Sequence, residues 1–422
     1  MLINKINYSQ KIKHQDFSKK VKKQRWFIQG LMYIVAFFML LGKKRKVIKI
    51  NMEGLEKKPY LLLISHQQFL DFAVACLATR PRKVSNVVAI DAFDWKRCLL
   101  YWAGSIPKRK FLNEMYTVKN IVHGIKDNKT IVAIYPEARY TQLGTNATLP
   151  DSIGKMAKLI KCPVVTMIFN GHHLQKPTWG DQKVRKGVPL VCTMKQVITQ
   201  DEIENLTHDE INAIINENFV YDEYKYWQSN NIKIKYPHRA KGLHNVLYKC
   251  PHCQTEYQMI SYLNRIKCRC CQTTYELTQD GYLKNVNGET IFNDVNQWTS
   301  WLREEVKKEI ENNTYSWVDQ CSAVSMPHGK YKIKLGKVKV THNQDGLLIE
   351  GHYNNEDFKI IKEPLENYAI QTEFNFPRLN KRHTVGISTT DDTIYFFPTK
   401  PGMVQKIYFA TEELYKVKIK RL

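Results

Sequence analysis

Tyr60-Leu61-Leu62-Leu63-Ile64-Ser65-His66-Gln67-Gln68-Phe69-Leu70-Asp71 is the stretch that decides the fold. Residues 60–64 are a continuous apolar run, as expected of a strand covered on both faces. His66 follows the end of that strand, and residues 68–79 read as a helix. The same alternation extends outward. Strands are expected at 47–51, at 130–135 (ending on Pro136), at 163–169 and at 189–192, with helices over 93–103, 114–127 and 151–160 between them. Strands alternating with helices predict an α/β domain, placed at 47–215, and open α/β sheets carry their sites at strand ends and the loops that follow.

His66 and Asp71 are the first candidate site pair. Taking a proton from an alcohol during acyl transfer needs a base near neutrality, which histidine supplies. A carboxylate five positions on, in the first helical turn, is able to fold back, fix the tautomer and stabilise the imidazolium. In isolation this spacing is weak, because the chain has 13 histidines and a surface histidine beside a capping Asp is the plainer reading. A second motif, Gly104-Ser105-Ile106-Pro107-Lys108-Arg109-Lys110-Phe111, places three cations where a phosphate dianion would be neutralised. A third, Tyr135-Pro136-Glu137-Ala138-Arg139, ends a buried strand, brings Glu137 into the site as an expected substrate contact and adds a guanidinium suited to bidentate phosphate contact. The fourth is Cys162-Pro163-Val164-Val165. Each of the middle two is, alone, an ordinary basic loop or strand-ending turn.

In their order and spacing these motifs resemble the glycerolipid acyltransferase family, typified by 1-acyl-glycerol-3-phosphate acyltransferases. The resemblance is clear over 60–170 and extends over 26–215. It implies a mixed sheet flanked by helices, with His66 and Asp71 as the catalytic pair. It also implies binding of the glycerol phosphate by the loop with Gly104 and Ile106, where which of Lys108, Arg109 and Lys110 is the phosphate ligand stays open. The family's Phe-Pro-Glu-Gly with a following Arg corresponds to Tyr135, Pro136, Glu137 and Arg139, with Ala138 in place of the glycine. Its fourth motif, which shapes the acyl pocket, corresponds to 162–165. No residue looks like an activated Ser or Cys nucleophile, so direct attack without an acyl-enzyme is the simplest mechanism.

The whole chain has 422 residues, 43% of them hydrophobic, and a formal charge of +24. That is enough for two or three folded domains and too little apolar content for a polytopic membrane protein. The charge implies a polyanionic partner, which nucleic acid, anionic lipid or a phosphorylated substrate would each satisfy. Residues 26–42 carry no charge and are bracketed by Lys22, Lys23 and Arg25 before and Lys43, Lys44, Arg45 and Lys46 after. As a helix this segment reaches about 25 Å, the lower limit for a span. Basic flanks on both sides argue against a simple crossing and for a helix that dips into one leaflet, after a basic tail. The expected location is the cytoplasmic face of a membrane, in a monotopic or peripheral manner.

Of ten cysteines, Cys76, Cys98, Cys162, Cys192 and Cys321 are scattered, and nothing suggests a disulfide framework. Cys250-Pro251-His252-Cys253 and Cys268-Arg269-Cys270-Cys271 form two Cys-x-x-Cys pairs with a zinc-ribbon spacing. Cys250, Cys253, Cys268 and Cys271 are the expected ligands of one structural zinc, Cys270 being spare. No catalytic cofactor is expected. The organisation that follows is a tail and membrane-associating helix at 1–46, the α/β domain, a connector at 216–246, the ribbon at 247–278, and a mainly β domain with a terminal helix at 279–422. An amphipathic helix is expected at 296–312, a hairpin turn at Asn343-Gln344-Asp345-Gly346, a strand at 393–397 and a closing helix at 403–418.

The reading is a membrane-associated enzyme of phospholipid biosynthesis. It would move a fatty acyl group from acyl-CoA or acyl-carrier protein to a lysophospholipid, most simply 1-acyl-glycerol-3-phosphate, giving phosphatidate. A nucleic-acid-binding zinc-ribbon protein would explain the ribbon and the charge but neither the 26–42 segment nor the four ordered motifs. A non-catalytic lipid-binding domain is disfavoured by the joint presence of His66, Asp71, Glu137 and Arg139.

Overall fold

The computed structural model describes residues 6, 8, 12, 19–93, 96–327, 331–380 and 382–420. Most of the expected basic tail lies outside the described residues. The chain divides into two compact units. One comprises 15–176 with 185–229, the other 1–14, 177–184 and 230–422. The expected connector is divided between them at residue 229.

The first unit runs α1 (Trp26–Leu40), β1 (Arg45–Ile50), β2 (Leu61–Ile64), α2 (Leu70–Ala78), β3 (Val84–Ala89), α3 (Arg97–Trp102), β4 (Ile106–Lys108), α4 (Met115–Lys126) and β5 (Ile131–Ile134). It continues with α5 (Ser152–Ile160), β6 (Val164–Asn170), α6 (His172–Gln175), β7 (Leu190–Ile198), α7 (Gln200–Asn205), α8 (His208–Asn218) and α9 (Glu223–Ser229). Its seven strands form one sheet in the order β1-β7-β6-β2-β5-β3-β4. β2 is central and parallel to both β5 and β6; the β6–β7 pair is antiparallel, which makes the sheet mixed. All four residues of β2 are fully buried. Leu61 and Leu63 join one core layer with Ile121, Val132 and Val164, while Leu62 and Ile64 join the other with Val74, Ala133 and Met167. That two-sided burial is what the unbroken apolar run required. Each such side chain contributes roughly 1.5–3 kcal/mol on burial.

α1 has 15 residues, so it is about 22 Å long, and no helix among the described residues is long and apolar enough to cross a membrane. It is two-faced. Ile28, Ala36 and Leu40 are buried, with Ala36 and Leu40 in the core layer that holds α2, whereas Trp26 (79% exposed), Leu31, Ile34, Phe37 and Phe38 (66%) point outward.

The second unit adds β8 (Met259–Tyr262), β9 (Arg265–Cys268), β10 (Thr274–Leu277), β11 (Leu283–Asn285), α10 (Val295–Glu311), β12 (Trp317–Ser325), β13 (Ile333–Asn343), β14 (Gly346–Tyr353), β15 (Glu356–Lys362), β16 (Gln371–Phe376), β17 (Arg382–Ser388), β18 (Thr393–Phe397) and α11 (Met403–Ile419). β8–β11 make a small antiparallel sheet. β12–β18 make a seven-stranded antiparallel sheet in the order β15-β14-β13-β12-β18-β17-β16. β13 shows the half-buried alternation, with Ile333, Leu335, Val338 and Val340 inside and Lys334, Lys337 and Lys339 outside. α10 buries Trp298, Leu302, Val306 and Ile310, and Arg303 ties it to α11 through Glu412 and Glu413, each at 2.9 Å.

Candidate active site

The loop after β2 is shaped by Asp71. Its Oδ2 accepts the backbone N–H of Gln67 at 2.5 Å and of Gln68 at 2.8 Å, so the carboxylate ties the loop to the first turn of α2. The same oxygen faces His66 Nδ1 at 3.3 Å. Asp71 is wholly buried, while the His66 side chain is 23% exposed. A proton held on Nδ1 by that carboxylate leaves Nε2 as the basic nitrogen. Tyr135 and Tyr140 flank the imidazole, each with its ring centroid 4.3 Å away. Burial alone would push the Asp71 carboxyl up, but hydrogen bonds from His172 and His66 outweigh it and hold the group below the ordinary carboxylate range.

Three of the four motifs meet here. Glu137 accepts the His66 backbone N–H at 3.0 Å, joining the third motif to the first. The Arg139 guanidinium lies over the Phe111 ring at 5.7 Å, joining the third to the second. The fourth does not reach the site. Residues 162–165 open β6, and Cys162, buried with its thiol pushed up to about 12, packs with Leu61 and Val164 in the core. A narrow cleft does run beside the site, lined by Met32 and Tyr33 of α1, Ile64 of β2, and Phe72, Ala75 and Cys76 of α2, with Gln24, Thr79, Arg82 and Asn86 also on its walls. The 162–165 segment, expected to shape an acyl pocket, lines none of it.

The expected phosphate residues differ in what they already do. Arg109 is buried and pairs with Glu114 at 2.8 Å. Lys108 gives its ammonium to the Leu112 carbonyl, and burial lowers its pKa, against the pull of Glu114. Arg139 is buried and Lys110 is half-buried. Glu137, expected among the substrate contacts, is already hydrogen-bonded within the protein. Its two oxygens accept from His66, from the Ala147 N–H at 2.8 Å and from the Tyr221 hydroxyl at 2.8 Å, and burial raises its carboxyl to about 7. These three donors tie Glu137 to the His66 loop and to residues 147 and 221. Ala138 occupies a left-handed conformation, φ 54°, with its N–H bonded to the Tyr135 carbonyl at 3.0 Å. A glycine there would be unstrained.

Cys250, Cys253, Cys268 and Cys271 come together in the second unit, with their sulfurs all within 4.8 Å of one another. Cys250–Cys271 and Cys253–Cys268 are separated by 3.6 Å and 3.7 Å. Four thiolates about 2.3 Å from a tetrahedral zinc stand about 3.8 Å apart, so the donor set fits one. Two like knuckles supply it, Cys250-Pro251-His252-Cys253-Gln254-Thr255 and Cys268-Arg269-Cys270-Cys271-Gln272-Thr273. In each, the Gln has positive φ, 57° and 61°, and the Thr hydroxyl lies beside the second sulfur, at 3.3 Å and 3.2 Å. Cys270 is exposed and outside the cluster.

Residues 46–170 match the protein family described as Acyltransferase. A curated relative, the 1-acyl-sn-glycerol-3-phosphate acyltransferase of Saccharomyces cerevisiae, is 26% identical over 197 residues, 44% of this chain and 61% of that protein. This chain thus spans about three-fifths of that relative's length. Among solved structures, the 1-acyl-sn-glycerophosphate (LPA) acyltransferase PlsC from Thermotoga maritima aligns at a TM-score of 0.37 and 11% identity, over 46% of this chain and 77% of that one. Residues 46–170 therefore form an acyltransferase-family domain, and its sequence kinship runs to a glycerolipid acyltransferase.

Proposed function

We propose that this protein transfers a fatty acyl group from the thioester of acyl-CoA or acyl-carrier protein to the free hydroxyl of a lysophospholipid, most simply 1-acyl-glycerol-3-phosphate, forming phosphatidate. The observation that carries this reading is the buried Asp71 carboxylate facing a part-exposed His66 imidazole inside an acyltransferase-family domain. His66 Nε2 takes the hydroxyl proton as the alcohol oxygen attacks the thioester carbonyl. The tetrahedral adduct collapses, the C–S bond breaks, and the proton on Nε2 passes to the leaving thiolate. Asp71 stabilises the imidazolium throughout.

Arg139 and the 108–110 run are the proposed phosphate clamp. Phe111 under Arg139 supports this by bringing the two loops to one place. The acyl chain is proposed to enter the cleft between α1 and α2. Trp26, Leu31, Phe37 and Phe38 on the outer face of α1, with basic residues at both ends of the helix, suit insertion into the cytoplasmic leaflet of an anionic membrane. The four cysteines would hold one zinc. A closed four-thiolate shell has no open position, so the ion would supply folding stability and no chemistry. The test is transfer of a radiolabelled acyl group to a panel of acceptors by the purified protein. Product on lysophosphatidate and not on glycerol-3-phosphate supports the acceptor assignment; the reverse overturns it.

A further inference from the structure

Asp71 serves two histidines. While Oδ2 faces His66, Oδ1 accepts a 2.7 Å hydrogen bond from Nδ1 of His172, and neither His172 nor Asp71 has any solvent exposure. His172 stands on the turn after β6, the strand next to β2. Gly171 makes that turn possible. Its φ is +86°, and a Cβ there would come within 2.1 Å of the Pro189 carbonyl oxygen. Glu223 accepts the Gly171 N–H at 2.9 Å. Gln67 donates to the Phe169 carbonyl at 2.6 Å and accepts the His173 N–H at 2.8 Å. Gln67 belongs to the His66 loop, so that loop and the His172 turn are locked together.

The Nε2 of His172 is buried and finds no hydrogen-bond partner among the described residues. An unmatched buried polar atom is unfavourable, and an apolar ring of the same size would avoid it. What the imidazole adds is the Nδ1–H that meets the carboxylate. We propose that His172 is a positioning residue of the acyl-transfer site, whose Nδ1–H holds Oδ1 of Asp71 and so keeps the carboxylate turned with Oδ2 facing His66. The kinetic consequence rests on the acyltransferase reading; the effect on Asp71 does not.

Four titratable groups face Asp71: His66 from the β2 loop, His172 from α6, Tyr135 at the end of β5 and Cys192 in β7. Burial acts to raise the Asp71 carboxyl, and of the opposing hydrogen bonds that from His172 is the larger. Without that donor, Asp71 takes up its proton at a higher pH. A protonated Asp71 no longer stabilises the His66 imidazolium, so activity on the acid side is lost at a higher pH than in the wild type.

The test compares His172→Phe with His172→Asn in the full chain. The Asn amide places an N–H close to the Nδ1 position, and the Phe ring does not. Two readouts are taken: the pH profile of kcat and KM, and the pH titration of the Asp71 carboxyl carbon by NMR, assigned with Asp71→Asn. For His172→Phe, kcat should fall roughly 10- to 100-fold, the size of one charge-assisted hydrogen bond. Acceptor KM should stay within about twofold, the acid limb should move to higher pH, and Asp71 should titrate higher. His172→Asn should recover most of each. If His172→Phe does not fold, His172→Gln takes its place, since its longer amide puts the donor beyond Oδ1. An Asp71 titration identical in wild type, His172→Phe and His172→Asn overturns the proposal, as does equal loss of kcat in folded His172→Phe and His172→Asn. A wild type that transfers no acyl group sinks the functional reading, and the Asp71 titration then decides the positioning claim by itself.

Discussion

His66 follows β2 and Asp71 lies in the first turn of α2, beside a strand buried on both faces at the centre of a seven-stranded sheet, whereas Cys250, Cys253, Cys268 and Cys271 stand on knuckles of a small four-stranded sheet. In the first unit the apolar sheet exists without the polar centre, and the sheet presents the base to solvent at a strand end. In the ribbon the apolar content is small, with Met259, Ile266, Tyr275, Leu277 and Leu283 the main buried side chains of its sheet. There the polar centre is expected to hold the fold. Removing the chemistry should therefore leave the first region folded and unfold the second.

The largest effect should come from the cysteines. A structural zinc contributes on the order of 10–16 kcal/mol of apparent binding free energy in small zinc modules. Cys250→Ser or Cys268→Ser should abolish stoichiometric zinc and expose the ribbon to protease, while Cys270→Ser should leave both unchanged. Metal analysis with limited proteolysis checks this, and a zinc-free, protease-resistant wild type would erase the contrast between the two regions.

Asp71→Asn probes the other side. It should cost at least about 100-fold in kcat, since the base loses the carboxylate that orients it. The loop should stay folded, because an amide oxygen still accepts the Gln67 and Gln68 N–H groups. A parallel drop in thermal midpoint and activity would show that Asp71 is structural first. Arg139→Ala should raise the KM for a phosphorylated acceptor by roughly 10- to 100-fold, a loss of about 1.5–3 kcal/mol, with the donor KM nearly unchanged. A change confined to the donor would move Arg139 out of the phosphate clamp. The smallest effect is Ala138→Gly, which relieves a left-handed alanine and should stabilise the first unit by about 0.5–1 kcal/mol in denaturant titration.

The same contrast governs what was legible in the sequence. β2 and β5 announce themselves as unbroken apolar runs, β6 as an apolar run interrupted by Thr166 and closed by Asn170, and the ribbon by its cysteine spacing. β3, Val-Ser-Asn-Val-Val-Ala, mixes polar residues into a partly buried strand, and β4 is three residues long with Pro107 in its middle; neither carries a period to detect. The duplicated Cys-x-x-Cys-Gln-Thr knuckle is legible in the sequence, and both copies hold their Gln at a similar positive φ. His66 and Asp71 lie in one loop and helix turn, so their pairing is local. His172 is 101 positions from Asp71, and only the fold of β6 beside β2 brings it there. Its one sequence signal was Gly171-His172-His173 after a buried strand, the same strand-end placement that marked His66. The sequence shows the Glu137 carboxylate but not its donors, because Tyr221 lies 84 positions away and only the fold brings its hydroxyl there.

The most direct test of the account is radiolabelled acyl transfer to 1-acyl-glycerol-3-phosphate in anionic vesicles, run on purified wild-type protein beside His66→Ala. The wild type should form phosphatidate. His66→Ala, with its fold and thermal midpoint intact, should lose at least about 100-fold in rate. Phosphatidate formed at near wild-type rate by His66→Ala would contradict the assignment of the base, and with it the mechanism.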